Sequence, residues 1–542
     1  MSHMKWHGWG EEDKEFGLKK NERLLSFLKG LLDIDLAETE KKRLEDIVLP
    51  DITLPGSTLR DLSSICETST DSYDRLTHSM GKGYKDLLRI RRGEVKYAPD
   101  AVVFPGTNEE VIKVLELADM IDVAVVPYGG GTSVVSGLEP GRKNTISLDT
   151  RKLDRILDID KVSMTAHVQA GILGPELERK LNAEGFTLGH FPQSFEFSAL
   201  GGWIATRGAG QSSTKYGKIE EMVEALTMCC PHGKISTKKV PASATGSDMK
   251  QVLIGSEGSF GVITDAVLRL HKSPEKRHYS AFLFRNFKEG TESMRRLVQT
   301  GITPAVARLS DAWETRINMR LGYSKGSSLL KNIMNTMVKA YVKHRGYAGD
   351  ELCMMILGLE GDRDQVEFDL KRSKKLLDGF YLGTSPGRQW YERRFDLPYA
   401  RDELMDLGVL VETLETSTNW SNLMNLYGKI YTAIGDAIRA YGVKGIVMAH
   451  VSHLYSEGAS LYYTFAAKAV EGREIEQWHA IKTAATEAIM GNGGALSHHH
   501  GIGREHAAWL KQELGHEWVK ALKELKKNFD PNEIMNPGNM GL

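Results

Sequence analysis

Cysteine is scarce in this chain, with four in 542 residues. Cys229 and Cys230 are adjacent, Cys66 and Cys353 stand alone, and no C-x-x-C spacing occurs. A disulfide framework is therefore excluded, and thiols used for packing in a reducing compartment are expected. Long apolar runs are missing too: nothing approaches the ~18 residues a transmembrane helix needs. Nor is there an excess of charge, since 70 Lys and Arg face 71 Asp and Glu. That balance leaves no electrostatic footprint for nucleic acid. Two nucleotide motifs are absent as well. No G-x-G-x-x-G opens a helix after a strand and no Walker A lysine loop occurs, which argues against a classical dinucleotide fold and ordinary ATP chemistry. There is no internal repeat and no low-complexity segment. Met1-Ser2-His3-Met4 reads as a cloning scar, with the natural start expected at Met4 and no secretory signal after it. The end, Asn539-Met540-Gly541-Leu542, is not a peroxisomal address, so the cytoplasm is the expected location.

What is present is a globular composition, 41% hydrophobic and 26% charged, enough for two or three domains. Residues 1–95 are polar, with a helix expected over Glu22–Leu36. From 96 to 275 short apolar runs alternate with turn residues: Ala101–Phe104, Val123–Pro127, Thr145–Leu148, Met164–Gln169, Val252–Gly255 and Gly261–Leu270. Such runs predict strands of a mixed domain. Thr107-Asn-Glu-Glu110 is a capping box opening a helix with Val111, Val114, Leu115 and Ala118 on one face. Residues 276–490 carry longer segments and form a second domain that covers the substrate. Residues 491–542 hold a histidine–glycine loop, an amphipathic helix expected over Glu505–Phe529, and a turn-rich end.

The chemistry begins in glycine loops. Pro127-Tyr-Gly-Gly-Gly-Thr-Ser133 follows a strand, and Gly129, Gly130 and Gly131 let backbone approach a ligand without Cβ clashes. Successive N–H groups in such a turn suit a pyrophosphate. Thr132 and Ser133 add hydroxyls. Three further segments follow: Pro192-Gln-Ser194 beside His190, Ala199–Gly210 with Gly201, Gly202 and Thr206, and Gly255–Thr264 with Glu257, Gly258, Gly261, Val262 and Ile263. In this order and spacing they resemble the FAD domain of the vanillyl-alcohol-oxidase superfamily, the PCMH-type fold. The resemblance implies an α+β protein: a PCMH-type FAD-binding domain over 96–275, an α+β cap domain over 276–490, and helical N- and C-terminal segments. It also implies that these residues, His190 and Gly255 included, hold FAD. Some members attach FAD through a histidine near the glycine loop; Tyr128 stands there instead, so non-covalent FAD is expected. His167, in a strand pattern, is read as packing.

Within that superfamily the chain resembles the alkylglycerone-phosphate synthase family nearly end to end. Met4-Lys-Trp-His-Gly-Trp-Gly10 looks like its opening. Gly189-His-Phe-Pro-Gln-Ser194, Pro304–Asp311, Arg401 upstream of Leu414-Glu-Thr-Ser417, Gly458-Ala-Ser-Leu-Tyr462 and Leu496-Ser-His-His-His-Gly-Ile-Gly503 match its segments. The implied reaction exchanges the acyl chain of acyl-dihydroxyacetone phosphate for a fatty alcohol, through a flavin N5 adduct and with no net redox change. In that reading Arg401 binds the substrate phosphate, Arg308 stabilises charge near the flavin, and Tyr462 is the acid/base. The loop of His498, His499 and His500 helps Arg401 with the phosphate, and at least one of the three orients Tyr462 or handles the leaving carboxylate. Tyr463 rivals Tyr462, and Ser460 stands where the animal pattern has cysteine. The alternative within the superfamily is an FAD-linked 2-hydroxyacid or alcohol dehydrogenase or oxidase. That branch usually carries a His-x-Gly-Asp-Gly-Asn-x-His segment, whereas here His450 and His453 lack the Asp-Gly-Asn. No third ligand accompanies those two, so no metal is expected. A homodimer is expected, together with peripheral membrane contact through a helix over Leu329–Val342.

Overall fold

The computed structural model describes residues 4–320, 346–347 and 349–542. The helix expected over Leu329–Val342, and the membrane contact assigned to it, lie outside the described residues.

Four strands open the fold: β1 (Glu67–Ser69), β2 (Ala101–Phe104), β3 (Ala124–Tyr128) and β4 (Thr145–Asp149), in the order β1-β2-β4-β3. β2, β4 and β3 run parallel, which requires a crossover, and the helix Asn108–Met120 provides it. That helix starts where the capping box predicts. Thr107 Oγ1 accepts from Glu110 N at 3.1 Å, and Glu110 Oε2 accepts from Gly106 N at 2.7 Å. Its buried stripe Val111, Val114, Leu115 and Ala118 packs on the sheet.

The next sheet contains β5 (Ile156–Asp160) and β6 (Thr165–Gln169), while β7 (Phe186–Thr187) pairs apart from it. β8 (Val223–Cys230), β9 (Gly233–Ser236) and β10 (Val262–Arg269) complete the antiparallel order β5-β6-β10-β8-β9, and β11 (His271–Lys272) partners β7. His167, on β6, is only partly packed, and its Nε2 lies 2.7 Å from Asp265 on β10. Two expected elements differ. Val252–Gly255 is the end of a helix, Met249–Leu253, which Asp248 caps by accepting from Lys250 N; so short an apolar run has no period that separates strand from helix. Glu505–Phe529 is broken into Ala507–Trp509, Leu510–Leu514 and His516–Phe529, because Gly515 at φ 87° cannot continue a helix.

The largest sheet is antiparallel: β12 (Lys276–Phe284), β13 (Val306–Ser310), β14 (Cys353–Gly361), β15 (Phe380–Gly383), β16 (Val409–Asn419), β17 (Gly445–Leu454) and β18 (Gly458–Lys468). Their order is β15-β12-β14-β13-β17-β18-β16. Helices Phe287–Gln299, Trp420–Ala440 and Glu474–Gly491 cover one face, burying Leu461, Tyr463 and Phe465 completely. Alternation sends Tyr462, Thr464 and Ala466 to the opposite face, and a one-residue slip would exchange the two sets.

The N-terminal segment closes part of that opposite face. Its helix runs Glu22–Leu32, started by Asn21 accepting from Leu24 N and stopped at Asp33 in the left-handed region, four residues short of the expected end. Leu18, Leu24, Leu28 and Leu32 are buried in the same cluster as the large sheet. The segment is tied down by Glu403, whose carboxylate accepts from Gly17 N at 2.8 Å, Leu18 N at 2.6 Å and Lys19 N at 3.3 Å. No helix among the described residues is long and apolar enough to cross a membrane. Replacing Glu403 by alanine leaves those amides without acceptors, a cost of about 1–3 kcal/mol. Hydrogen exchange at Gly17–Lys19 is therefore expected to accelerate at least about fivefold. Unchanged exchange there would mean that other contacts hold the segment.

Candidate active site

A cavity of about 470 Å3 runs from the glycine loops to the open face of the large sheet. Pro127, Gly129–Ser133, Pro192, Ser194, Gly201, Gly202, Thr206, Glu257, Gly258 and Gly261–Ile263 all line it. Two of the expected cofactor residues lie outside its lining. His190 is buried behind it against Trp203, ring centroids 4.7 Å apart, with neither ring nitrogen partnered among the described residues. Burial pushes its pKa down to about 3, so it is a neutral packing residue. Gly255 sits beneath the Arg207 side chain and serves the turn at φ 88°.

The lining fits FAD on two structural grounds. At Gly130 a Cβ would overlap the carbonyl oxygen of Phe197, so only glycine lets the two loops meet. The backbone N–H groups of Gly130, Gly131, Thr132 and Ser133 find no acceptor among the described residues, and they form a concave donor surface suited to a pyrophosphate. Tyr128, where a linking histidine would stand, is buried and packs at 4.0 Å on the ring of His78. His78 uses both nitrogens internally, one 2.9 Å from Asp149 and the other 2.6 Å from the Asp74 carbonyl.

At the other end the strands supply side chains at every second position: Val306 and Arg308 from β13, Val411 and Thr413 from β16, Met448 and His450 from β17, Tyr462 and Thr464 from β18. This alternation separates the two tyrosines. Tyr462 faces the cavity, whereas Tyr463 is fully buried and donates to the Tyr427 carbonyl at 3.1 Å. Tyr462 stacks on His450 (4.9 Å, 19°) and lies 6.0 Å from His499 and 5.6 Å from His500, ring to ring. Burial pushes its hydroxyl up to about 12. Arg308 Nη2 donates to Glu314 Oε1 at 2.7 Å, and His450 Nδ1 lies 3.1 Å from both groups. Burial opposes ionisation of Glu314, but Arg308 and His450 outweigh it and hold the carboxyl at about 2. Arg401 also lines the cavity. No carboxylate pairs with it among the described residues, and its buried Nε has no acceptor.

The histidine loop is held by two carboxylates from different parts of the fold, Glu415 on the large sheet and Glu257 in the turn before β10. Glu415, buried on β16, accepts from Ser497 Oγ at 2.7 Å and from the backbone N–H groups of His498, His499 and His500 at 2.6, 3.1 and 2.8 Å. Burial opposes its charge, yet the surrounding imidazoles and the Ser497 hydroxyl keep it well below the usual carboxylate range. Two residues on, Glu257 accepts from Ile502 N at 2.6 Å and Gly503 N at 2.8 Å. Its carboxyl is raised to about 7 by burial. The pinned backbone turns the three rings different ways. His499 and His500 line the cavity, but His498 does not: its Nε2 meets Tyr455 Oη at 2.6 Å and its carbonyl accepts from Lys218. His453 turns its Nε2 to the Gly210 carbonyl and forms a close cluster with His498 and His499.

Several lining residues escaped the sequence reading. Glu314 and Thr413 carry no motif, and only strand alternation could have found Thr413. Asn536 and Asn539 belong to the turn-rich end, yet both line the cavity, with amides donating to the Glu257 carbonyl and with buried oxygens left unpartnered. Leu24, Leu28 and Leu32 were legible as a helical stripe, though not as a cavity wall.

Comparison with known proteins agrees with this geometry. Residues 99–238 match the family model described as "FAD binding domain", and residues 273–540 match "FAD linked oxidases, C-terminal domain". An alkyldihydroxyacetonephosphate synthase of Dictyostelium discoideum is 34% identical, covering 98% of this chain and 92% of that one. The synthase of Trypanosoma brucei brucei is 32% identical, covering 99% and 92%. A solved alkyldihydroxyacetonephosphate synthase structure superposes with a TM-score of 0.85 at 32% identity, covering 99% of this chain and 98% of its own.

The buried imidazoles make the site sensitive to acid. Burial lowers His453, His499 and His500 from their ordinary value and brings His498 to about 4. Between an unfolded value near ~6.5 and those folded values, the unfolded chain binds more protons, so stability falls with falling pH. Glu257, raised to about 7, works the other way over the same window, so the expectation is differential: between pH 6.5 and about 4 the wild-type melting temperature should fall relative to that of His498→Gln. A constant difference in melting temperature between the two proteins across this window would contradict the neutral assignment of His498.

Proposed function

Because the chain belongs to the alkyldihydroxyacetonephosphate synthase family of FAD-linked oxidases, we propose that it exchanges the acyl chain of acyl-dihydroxyacetone phosphate for a long-chain alcohol, forming an ether bond. The observation that carries this reading is the continuity of one cavity. It joins a donor-rich glycine loop, an arginine with no carboxylate partner among the described residues, a tyrosine among neutral imidazoles, and an aliphatic wall. A redox dehydrogenase of small hydroxyacids has no use for that wall.

The cofactor is FAD, and the residues that would hold it are the Pro127–Ser133 loop, Gly201, Gly202, Thr206 and the Gly258–Ile263 segment, without a covalent link. When bound, it supplies an electron-accepting ring at which C1 of the dihydroxyacetone unit exchanges one oxygen substituent for another, with no net redox change. The chain does the rest. Arg401 offers a planar fork to the substrate phosphate, with no carboxylate paired to it among the described residues. Arg308, fixed by Glu314 and His450, offers guanidinium donors to charge that develops at the reactive end.

Tyr462 handles the proton at C1. With its hydroxyl at about 12 it is a proton donor at neutral pH. To remove a proton it must first give up its own, and the neutral imidazoles of His499 and His500 beside it are the bases the cavity offers. Acyl and alkyl chains in turn lie along Leu24, Leu28, Leu32, Val411, Ile446 and Ala466. Substrates of that kind partition into bilayers, which supports uptake at a membrane surface.

The test is anaerobic incorporation of a labelled fatty alcohol into ether product without an electron acceptor. The wild-type chain should form product, and Tyr462→Phe should lose about 10²–10⁴-fold in kcat while the flavin spectrum is retained. Absence of ether product together with flavin bleaching by 2-hydroxyacids would overturn the reading. Chain length gives a second check. Ala466→Phe adds bulk to the aliphatic wall, so the preferred alcohol should become shorter by several carbons, and an unchanged preference would place the chain elsewhere.

A further inference from the structure

The motif Lys5-Trp-His-Gly-Trp-Gly10 takes no part in the chemistry described above, yet it is one of the most heavily anchored segments of the molecule. Trp6 and Trp9 are buried. From one side, cations hold its carbonyls: Lys82 Nζ donates to Lys5 O at 3.1 Å and to Trp6 O at 3.4 Å, and Arg91 Nε donates to His7 O at 2.8 Å. From the other side, Asp402 accepts from the Trp9 N–H. Lys5 Nζ lies 3.8 Å from Asp402 and Arg91 3.7 Å from it. The two glycines are demanded by contact. A Cβ on Gly8 would overlap the Asp402 carboxylate, and one on Gly10 would overlap the Tyr399 ring.

Both contacts fall on the helix Leu397–Asp406, which carries Arg401. Its three acids all face the N-terminal segment: Asp402 holds the strap, Glu403 holds Gly17–Lys19, and Asp406 meets Lys41 at 2.8 Å and Arg91 at 3.2 Å. Its one arginine faces the cavity without a carboxylate partner among the described residues. All three acids of this helix are thereby turned toward the N-terminal segment and Arg91, and none pairs with Arg401 among the described residues. We infer that the strap Lys5–Gly10 is a positioning element for substrate phosphate, fixing the roll of this helix and drawing Asp402 away from Arg401 so that the guanidinium stays free for an anion. The inference rests on the assignment of Arg401 to the phosphate.

Dihydroxyacetone phosphate binding to the FAD-loaded protein, followed through the flavin's visible band, tests it. Asp402→Asn removes a negative charge close to the phosphate site, so a purely electrostatic effect would tighten binding. Loss of positioning weakens it instead, and the expected result is a rise in Kd of about tenfold with FAD content unchanged. Gly8→Ala disturbs the same contact from the strap and should raise Kd in the same direction, with KM for acyl-dihydroxyacetone phosphate rising far more than kcat falls. In an Arg401→Ala background, neither substitution should weaken binding further. Tighter or unchanged binding in Asp402→Asn, or full additivity with Arg401→Ala, would overturn the strap's role. If Arg401→Ala by itself leaves Kd unchanged, the phosphate assignment fails, and the inference fails with it.

Discussion

One short loop, Ser497–Gly503, is held between two buried carboxylates that come from separate parts of the fold. Glu415 belongs to the large sheet and gathers three consecutive backbone N–H groups and a hydroxyl. Glu257 belongs to the segment that lines the cofactor side and gathers the next two. Backbone donors so enclosed would be costly to leave unpaired, and carboxylates so buried would be costly to leave unmatched. Each need answers the other. The loop therefore has little freedom to shift relative to the large sheet or to the turn that carries Glu257, and the imidazoles it carries inherit that fixed position between cofactor and substrate.

The same logic, charge used to place backbone, recurs at the opposite wall. Glu403 gathers Gly17–Lys19, and Lys82 and Arg91 gather the carbonyls of the strap. Between these anchors the leucines of the first long helix lie over a sheet face that would otherwise be open to solvent. The site is therefore assembled from the beginning, the middle and the end of the chain, with polar anchors fixing the walls and apolar side chains filling them.

Much of this was legible beforehand, for identifiable reasons. The glycine segments announce themselves because close backbone approach tolerates no other residue, as at Gly130. The capping box at Thr107 is local, so its geometry follows from four residues. The choice between Tyr462 and Tyr463 was not legible, since each could face either way until strand register assigned the faces. His190 looked like a cofactor contact through its neighbours Pro192 and Ser194, but its ring turns inward against Trp203. His498 read as equal to its two neighbours, yet a backbone pinned on Glu415 sends successive rings in different directions. Glu314, Asn536 and Asn539 come to the cavity through tertiary packing that no local pattern encodes. Val252–Gly255 failed for the simplest reason: four apolar residues carry no period.

The docking of the N-terminal segment also has a consequence in time. Residues 5–19 find their acceptors on Asp402 and Glu403, almost 400 positions later in the chain. At a ribosome adding about 5–20 residues per second, that separation is on the order of 20–80 s of synthesis. Through that interval the first leucines to emerge have no partner, and the last large element to form determines when the first can settle. A nascent chain of this kind must be shielded at its leading end, and the cavity wall closes only after most of the protein exists.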